Sequence, residues 1–215
     1  MTRFLSQQVV KSGGKNITVM TRPAEDLNSF ATRAPKVVLE ARQRLQHAYA
    51  KLGYQTDAVK KAAHRYFLTD SLYIAKTDLE YIKRVYVLTI DGLAGDVTIK
   101  TGATVGSGND DSNGEVNASP NLNLVKPYHN LVVDRDDGQM SKWGAIKVDG
   151  ARLLSALGVK TFIHEATHKY AGTTDYCYFN DDGVTPRSTF DDKAKALDNA
   201  DSYAWFAYTV GATIN

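Results

Sequence analysis

His164-Glu165-Ala166-Thr167-His168 sets two imidazoles and a carboxylate at a spacing that can do chemistry. On a helix, residues i and i+4 lie one turn apart on the same face, so both rings can reach a common point. That point suits zinc, which takes imidazole nitrogen at roughly 2.0–2.1 Å and, in catalytic sites, three protein ligands plus a water. Glu165, next to the first ligand, would stand beside that water and take its proton. The chemistry suggested is hydrolysis of a peptide bond. Two histidines leave the ligand set one donor short, and Asp175, Cys177, Asp181 and Asp182 follow closely enough to supply it. Spacing alone does not choose among them.

Positioning such a site requires a buried helix. The run Leu153 to Ile163 before the first histidine is apolar enough to sink the helix into a core. A last helix is expected from about Asp191 to Val210, with Ala194, Leu197, Ala200, Ala204 and Ala207 on one side, small enough to let it lie close beneath the metal helix. Upstream, apolar spacing predicts helices from Pro35 to Gly53, from Asp57 to about Phe67, and from a capping box at Thr77-Asp78-Leu79-Glu80. From Gly95 the period changes to two, and strands are expected at Asp96–Lys100, Asn130–Asp134 and Ala145–Asp149, with a turn at Asp136-Asp137-Gly138. Gly102 to Asn123 reads as a long surface loop. Within it Asn109, Asp111, Asn113 and Gly114 imitate half of a calcium loop, but Pro120 stands where a bidentate Glu is needed, so a solvated loop is expected instead.

Length allows one domain of 35–215, preceded by an extended, partly strand-forming arm of 1–34. A formal net charge of +2 gives no global field for nucleic acid or an anionic membrane. No run of 18 apolar residues exists, so no membrane span is expected. The start lacks the apolar stretch of a signal peptide, and Cys177, the single cysteine, has no partner for a bridge within the chain. Together these suggest a protein made in the cytoplasm and, if exported, exported without a conventional signal. Oligomeric state is not legible.

Gly172-Thr173-Thr174-Asp175-Tyr176-Cys177-Tyr178, coming after His-Glu-x-x-His, resembles the signature of the aspzincin metallopeptidases, the family of deuterolysins and peptidyl-Lys metalloendopeptidases. Ala196-Leu197-Asp198-Asn199-Ala200-Asp201-Ser202-Tyr203 is similar to a stretch on that family's last helix. The likeness covers about residues 160 to 208. It implies zinc held by His164, His168 and Asp175, with Glu165 as base and Tyr178 as the donor that steadies the transition state. It further implies Asp201 as an acceptor for a Lys or Arg side chain beside the scissile bond, Asp198 being a weaker substitute. The alternative for Asp201 is a partner that orients a histidine ligand through its other ring nitrogen. Phe179 departs from the family, which commonly has Gly after the tyrosine, and the secreted members' disulfide cysteines are absent.

The expected architecture is therefore α+β and zincin-like: a helical N-terminal part, a small twisted sheet, the metal helix, and a C-terminal helix beneath it. Trp143 to Val148 is expected to offer an edge strand to an extended protein or peptide substrate. The rivals are a zinc amidase acting on a non-protein amide, as in a cell-wall polymer, and a metal-binding domain without turnover. Missing signal and disulfides suggest a bacterial effector or toxin module.

Overall fold

The computed structural model describes residues 6–21, 27–101, 114–117, 130–133, 143–148, 151–180 and 182–210. The calcium-like residues 109–113, the turn at 136–138 and Asp181 lie outside them. Described in chain order are β1 (Ser6–Ser12), β2 (Lys15–Thr21), α1 (Leu27–Tyr54), α2 (Asp57–Phe67), α3 (Lys76–Gly92), β3 (Val97–Thr101), β4 (Gly114–Asn117), β5 (Asn130–Val133), β6 (Trp143–Val148), β7 (Ala151–Ala156), α4 (Leu157–Ala171), α5 (Lys193–Leu197) and α6 (Ala200–Val210). The class is α+β, as expected.

Residues 6–21 are more than an arm. Gly13 and Gly14 take φ of 59° and 81°, the left-handed pair that a two-residue hairpin turn demands, and β1 and β2 pair across them from Ser12↔Lys15 to Ser6↔Thr21. Ile17 and Val19, two residues apart on one face of β2, are buried in the core. β2 then pairs parallel with β3, giving a mixed sheet in the order β1-β2-β3-β5-β4. β4 lies within the stretch expected to be loop; its pairing with β5 supplies hydrogen bonds that its own sequence does not advertise.

α1 starts eight residues before Pro35 rather than at it, with the proline inside the helix. A helical proline lacks the N–H that would bond four residues back and crowds that carbonyl. Ala31 and Ala34 nonetheless continue the buried stripe of Val38, Ala41, Leu45, Ala48 and Leu52, so packing outweighs the lost bond. Tyr49, beside this stripe on the same helix, is exposed. α2 occupies its expected span, and Thr56 caps it by accepting from Val59 N. At α3 the capping box does not form: the helix begins at Lys76, and Thr77 lies inside its first turn.

α4 runs through the middle of the fold, packed on α1, α3 and α6. α6 is buried from Ala200 through Tyr208, because its small and aromatic side chains meet neighbours all round. Tyr86 donates to Tyr203 O, and Tyr66 donates to Gly183 O, which ties α3, α2 and the loop at 183 to the helix beneath the site. The single last helix expected from Asp191 is two, parted at Asp198-Asn199. No helix among the described residues is long and apolar enough to cross a membrane.

Candidate metal centre

α4 buries Val159, Phe162, Ile163 and Ala166 on its core side and carries His164, Glu165 and His168 one turn apart. Gly172, at φ 76°, ends the helix in the left-handed conformation that glycine adopts without a Cβ clash, and its N–H bonds His168 O. The reversal brings Thr173 O to 2.7 Å from His168 Nδ1. A carbonyl only accepts, so Nδ1 carries the proton and His168 Nε2 turns its lone pair inward.

Asp175 arrives on a loop held by Asn199, which sits fully buried in the break between α5 and α6. Its Oδ1 accepts from Tyr176 N and Cys177 N, both at 3.0 Å, while Nδ2 donates to Cys177 O and Ser202 Oγ. Thr174 N donates to Asp198 O, and Ala200 N to Thr174 O. The helix breaks here because backbone and side-chain groups of 198–200 serve the loop. In the sequence the only sign of Asn199's part is a polar Asp-Asn pair inside an otherwise apolar helix. Asn199→Ala leaves the buried Cys177 N–H and the part-buried Tyr176 N–H without this acceptor, at a cost of roughly 1–3 kcal/mol for the buried one, and loosens Asp175. We expect zinc affinity about 10–100-fold weaker, read by competition with a chelator; unchanged affinity would mean that the loop is held by other means.

These elements bring three donor atoms together. His164 Nε2, His168 Nε2 and Asp175 Oδ1 stand 3.1 Å from one another on all three sides. Ligands of a tetrahedral ion with bonds of 2.0–2.1 Å lie about 3.3 Å apart, so the triangle fits one small cation. Without a positive centre, lone pairs face one another at this distance. Burial works against charge on His164, yet hydrogen bonds to Asp175 and Asp201 and the charge of Glu165 carry its imidazole up to about 10. Burial would also raise Asp175, but the two imidazoles hold its carboxyl well below the usual carboxylate range. The site draws positive charge.

Glu165 is buried beside the triangle, with Oε1 3.8 Å from His164 Nε2 and Oε2 lacking any hydrogen-bond partner among the described residues. Burial pushes its carboxyl up to about 7, against the pull of the two imidazoles. An orphaned buried carboxylate oxygen costs free energy unless something is to bind there, and the chemistry of the donor set says what: a water or an amide. Tyr178 stacks on His164, ring centroids 5.5 Å apart and planes 20° apart, with 43% of its surface exposed. Burial of the phenol and the neighbouring Asp175 carboxylate raise it above its ordinary value, so it remains protonated.

The other expected residues fall elsewhere. Cys177 is buried and directs Sγ to the carbonyls of Tyr178 and Ser188, away from the triangle. Asp182 accepts from Val184 N, Thr185 N and Thr185 Oγ1 in a turn of its own. Asp201, expected to face substrate, is 0% exposed. Its Oδ1 takes His164 Nδ1 at 3.3 Å and Lys160 Nζ at 2.5 Å, and its Oδ2 takes Phe179 N at 2.7 Å. The carboxylate therefore stands within hydrogen-bond reach of the ring nitrogen of His164 that faces away from the triangle. The physical reason is its position on the face of α6 that packs against α4.

Residues 155–208 match the model of the Aspzincin_M35 family, described as lysine-specific metallo-endopeptidase. No curated protein sequence matches the chain. Among solved structures, the fold is similar to that of a zinc peptidase from Grifola frondosa, with TM-score 0.50 and 14% identity over 80% of this chain and 90% of that one.

Proposed function

We propose that the chain, which through residues 155–208 belongs to the aspzincin metallopeptidases and is a zinc metalloendopeptidase, holds its zinc on His164, His168 and Asp175 and works with Glu165 as base and Tyr178 as oxyanion donor. The observation that carries the proposal is the triangle of three lone-pair donors 3.1 Å apart beside a buried carboxylate oxygen without a partner. Zinc bound there supplies Lewis acidity, which brings the pKa of water down to about 7. Glu165 accepts the proton of the attacking water on its free Oε2 and returns it to the leaving nitrogen as the C–N bond breaks. Its burial favours that exchange, since a carboxyl near neutrality both takes and gives a proton. Tyr178 Oη–H donates to the carbonyl oxygen as negative charge collects on it. Its half-exposed ring, braced on His164, can reach a bound peptide without unpacking the core.

β6 pairs only with β7 among the described strands, from Trp143↔Ala156 to Val148↔Ala151. Its other edge has no partner among the described strands, which supports substrate docking as an added strand. A preference for Lys or Arg beside the scissile bond has Asp201 as its acceptor only when Lys160 vacates it.

The test is to incubate the zinc-loaded chain with an unfolded protein and sequence the released peptides. Internal cuts that stop on chelation and resume when zinc is returned are expected; intact substrate would overturn the proposal. Tyr178→Phe should lower kcat about 10²–10³-fold while KM and zinc content stay as in the wild type. An unchanged kcat would leave Tyr178 as packing against His164.

A further inference from the structure

Val38, Leu39 and Arg42 follow Pro35 by three, four and seven residues, so all four share one face of α1. That face forms one wall of a cleft of about 90 Å³, whose other walls are the β1–β2 turn with Lys15 and the chain from Leu93 to Val97. The cleft is apolar at its base, where Ile17, Leu93 and Val97 are buried, and Leu39 keeps 54% of its surface exposed at its rim. Arg42 is the exception in this lining. Its Nε is buried without a hydrogen-bond acceptor, and its guanidinium has no counter-ion among the described residues. Glu40, the one acid of α1, goes to Arg44 at 2.9 Å. Asp96, beside the cleft, accepts from Asn16 N and Nδ2 at 2.9 and 3.1 Å, and its remaining pull is on Lys15. A buried donor without an acceptor is a cost that a bound acceptor removes. The planar guanidinium fork matches a carboxylate, and apolar walls suit a hydrocarbon chain. At roughly 10–15 Å³ for each water-sized group, there is room for a carboxylate and a short branched chain.

We propose that this cleft binds a short aliphatic carboxylate, held by Arg42 at its charged end and covered by Val38, Leu39 and Leu93 along its tail. Lys15 adds positive charge at the turn. Two sources carry that group: a free branched-chain acid, and the C-terminal residue of a peptide that ends in leucine. Inorganic phosphate would satisfy the guanidinium but leave the apolar walls bare, and an alcohol would do the reverse. No residue of the cleft belongs to the metal centre or to the span 155–208, so the site needs neither zinc nor peptide hydrolysis.

The test is isothermal titration of the full-length, zinc-loaded chain with sodium 4-methylpentanoate. Saturable binding is expected, and none with 4-methylpentanol or with inorganic phosphate at equal ionic strength. Arg42→Met keeps the length of the arm and removes its charge, and should weaken binding about 10–100-fold, the worth of a hydrogen bond to a charged group. Because a carboxylate can also ligate zinc, wild-type affinity in Arg42→Met would place the acid elsewhere and overturn the site. Leu39→Glu changes an exposed position and sets a resident carboxylate three residues before Arg42, where the two can pair. It should abolish binding, and it answers the question if Arg42→Met does not fold; unchanged affinity would again overturn the site. Acetyl-glycyl-leucine and its amide separate the two sources. Binding of the acetylated acid but not the amide identifies a peptide C-terminus, and binding of 4-methylpentanoate alone identifies a free acid; both support the site. No saturable binding of either acid overturns it, as does binding of phosphate in their place.

Discussion

Glu165→Gln lowers peptide hydrolysis by about 10²–10⁴-fold and leaves one zinc per chain in place. Glutamine keeps the shape of the side chain and removes only its ability to hold the transferred proton. Since Oε2 has no hydrogen-bond partner to lose, the substitution breaks no hydrogen bond at that oxygen and removes only the charge that Oε1 sets 3.8 Å from His164 Nε2. The sign of the stability effect follows from the raised pKa. A buried carboxyl held at about 7 opposes folding increasingly as pH rises above its unfolded value and the group must ionise. The amide removes that opposition, so the metal-free variant is at least as stable as the metal-free wild type at pH 8. The same titration shapes activity: Glu165 must be ionised to accept a proton, and zinc's positive charge lowers its pKa, so wild-type kcat/KM rises with an acidic limb below about pH 7. Loss of zinc or of fold in Glu165→Gln would contradict the assignment, as would near-wild-type turnover.

Asp201→Ala is expected to be the most damaging single change to the site. It strands the Lys160 ammonium and the Phe179 N–H in a buried place and takes the partner from His164 Nδ1. Removing one member of a buried ion pair costs about 3–5 kcal/mol, and unmooring a ligand histidine weakens metal binding about 10–100-fold. Urea denaturation and chelator competition read the two effects. Asp201→Asn keeps an oxygen for Phe179 N and should fall between. If Asp201→Ala retained wild-type stability and zinc affinity and changed only the KM for basic substrates, Asp201 would be a substrate acceptor rather than a support.

The site was more legible in the sequence than its supports. His164, Glu165 and His168 needed only the helical period, and the structure gathers Asp175 and Tyr178 beside them. α2 declared both ends through its amphipathic face and its Thr56 cap. By contrast the hairpin turned on Gly13-Gly14, a pair whose left-handed need shows only once the flanking strands are known to pair. Local preference favours Pro35 as a helix start, while burial of Ala31 and Ala34 carries α1 back to Leu27. The break at Asp198-Asn199 answers to a loop more than twenty residues upstream. So does the fate of Asp201: whether its carboxylate meets solvent or Lys160 depends on how α6 lies against α4, and periodicity carries no information on that.

The central claim is that His164, His168 and Asp175 together hold one zinc ion. Zinc content after exhaustive dialysis, measured side by side for the wild type and Asp175→Ala, tests it most directly. One zinc per wild-type chain and little or none in the folded variant is the result expected; equal zinc in both would contradict it.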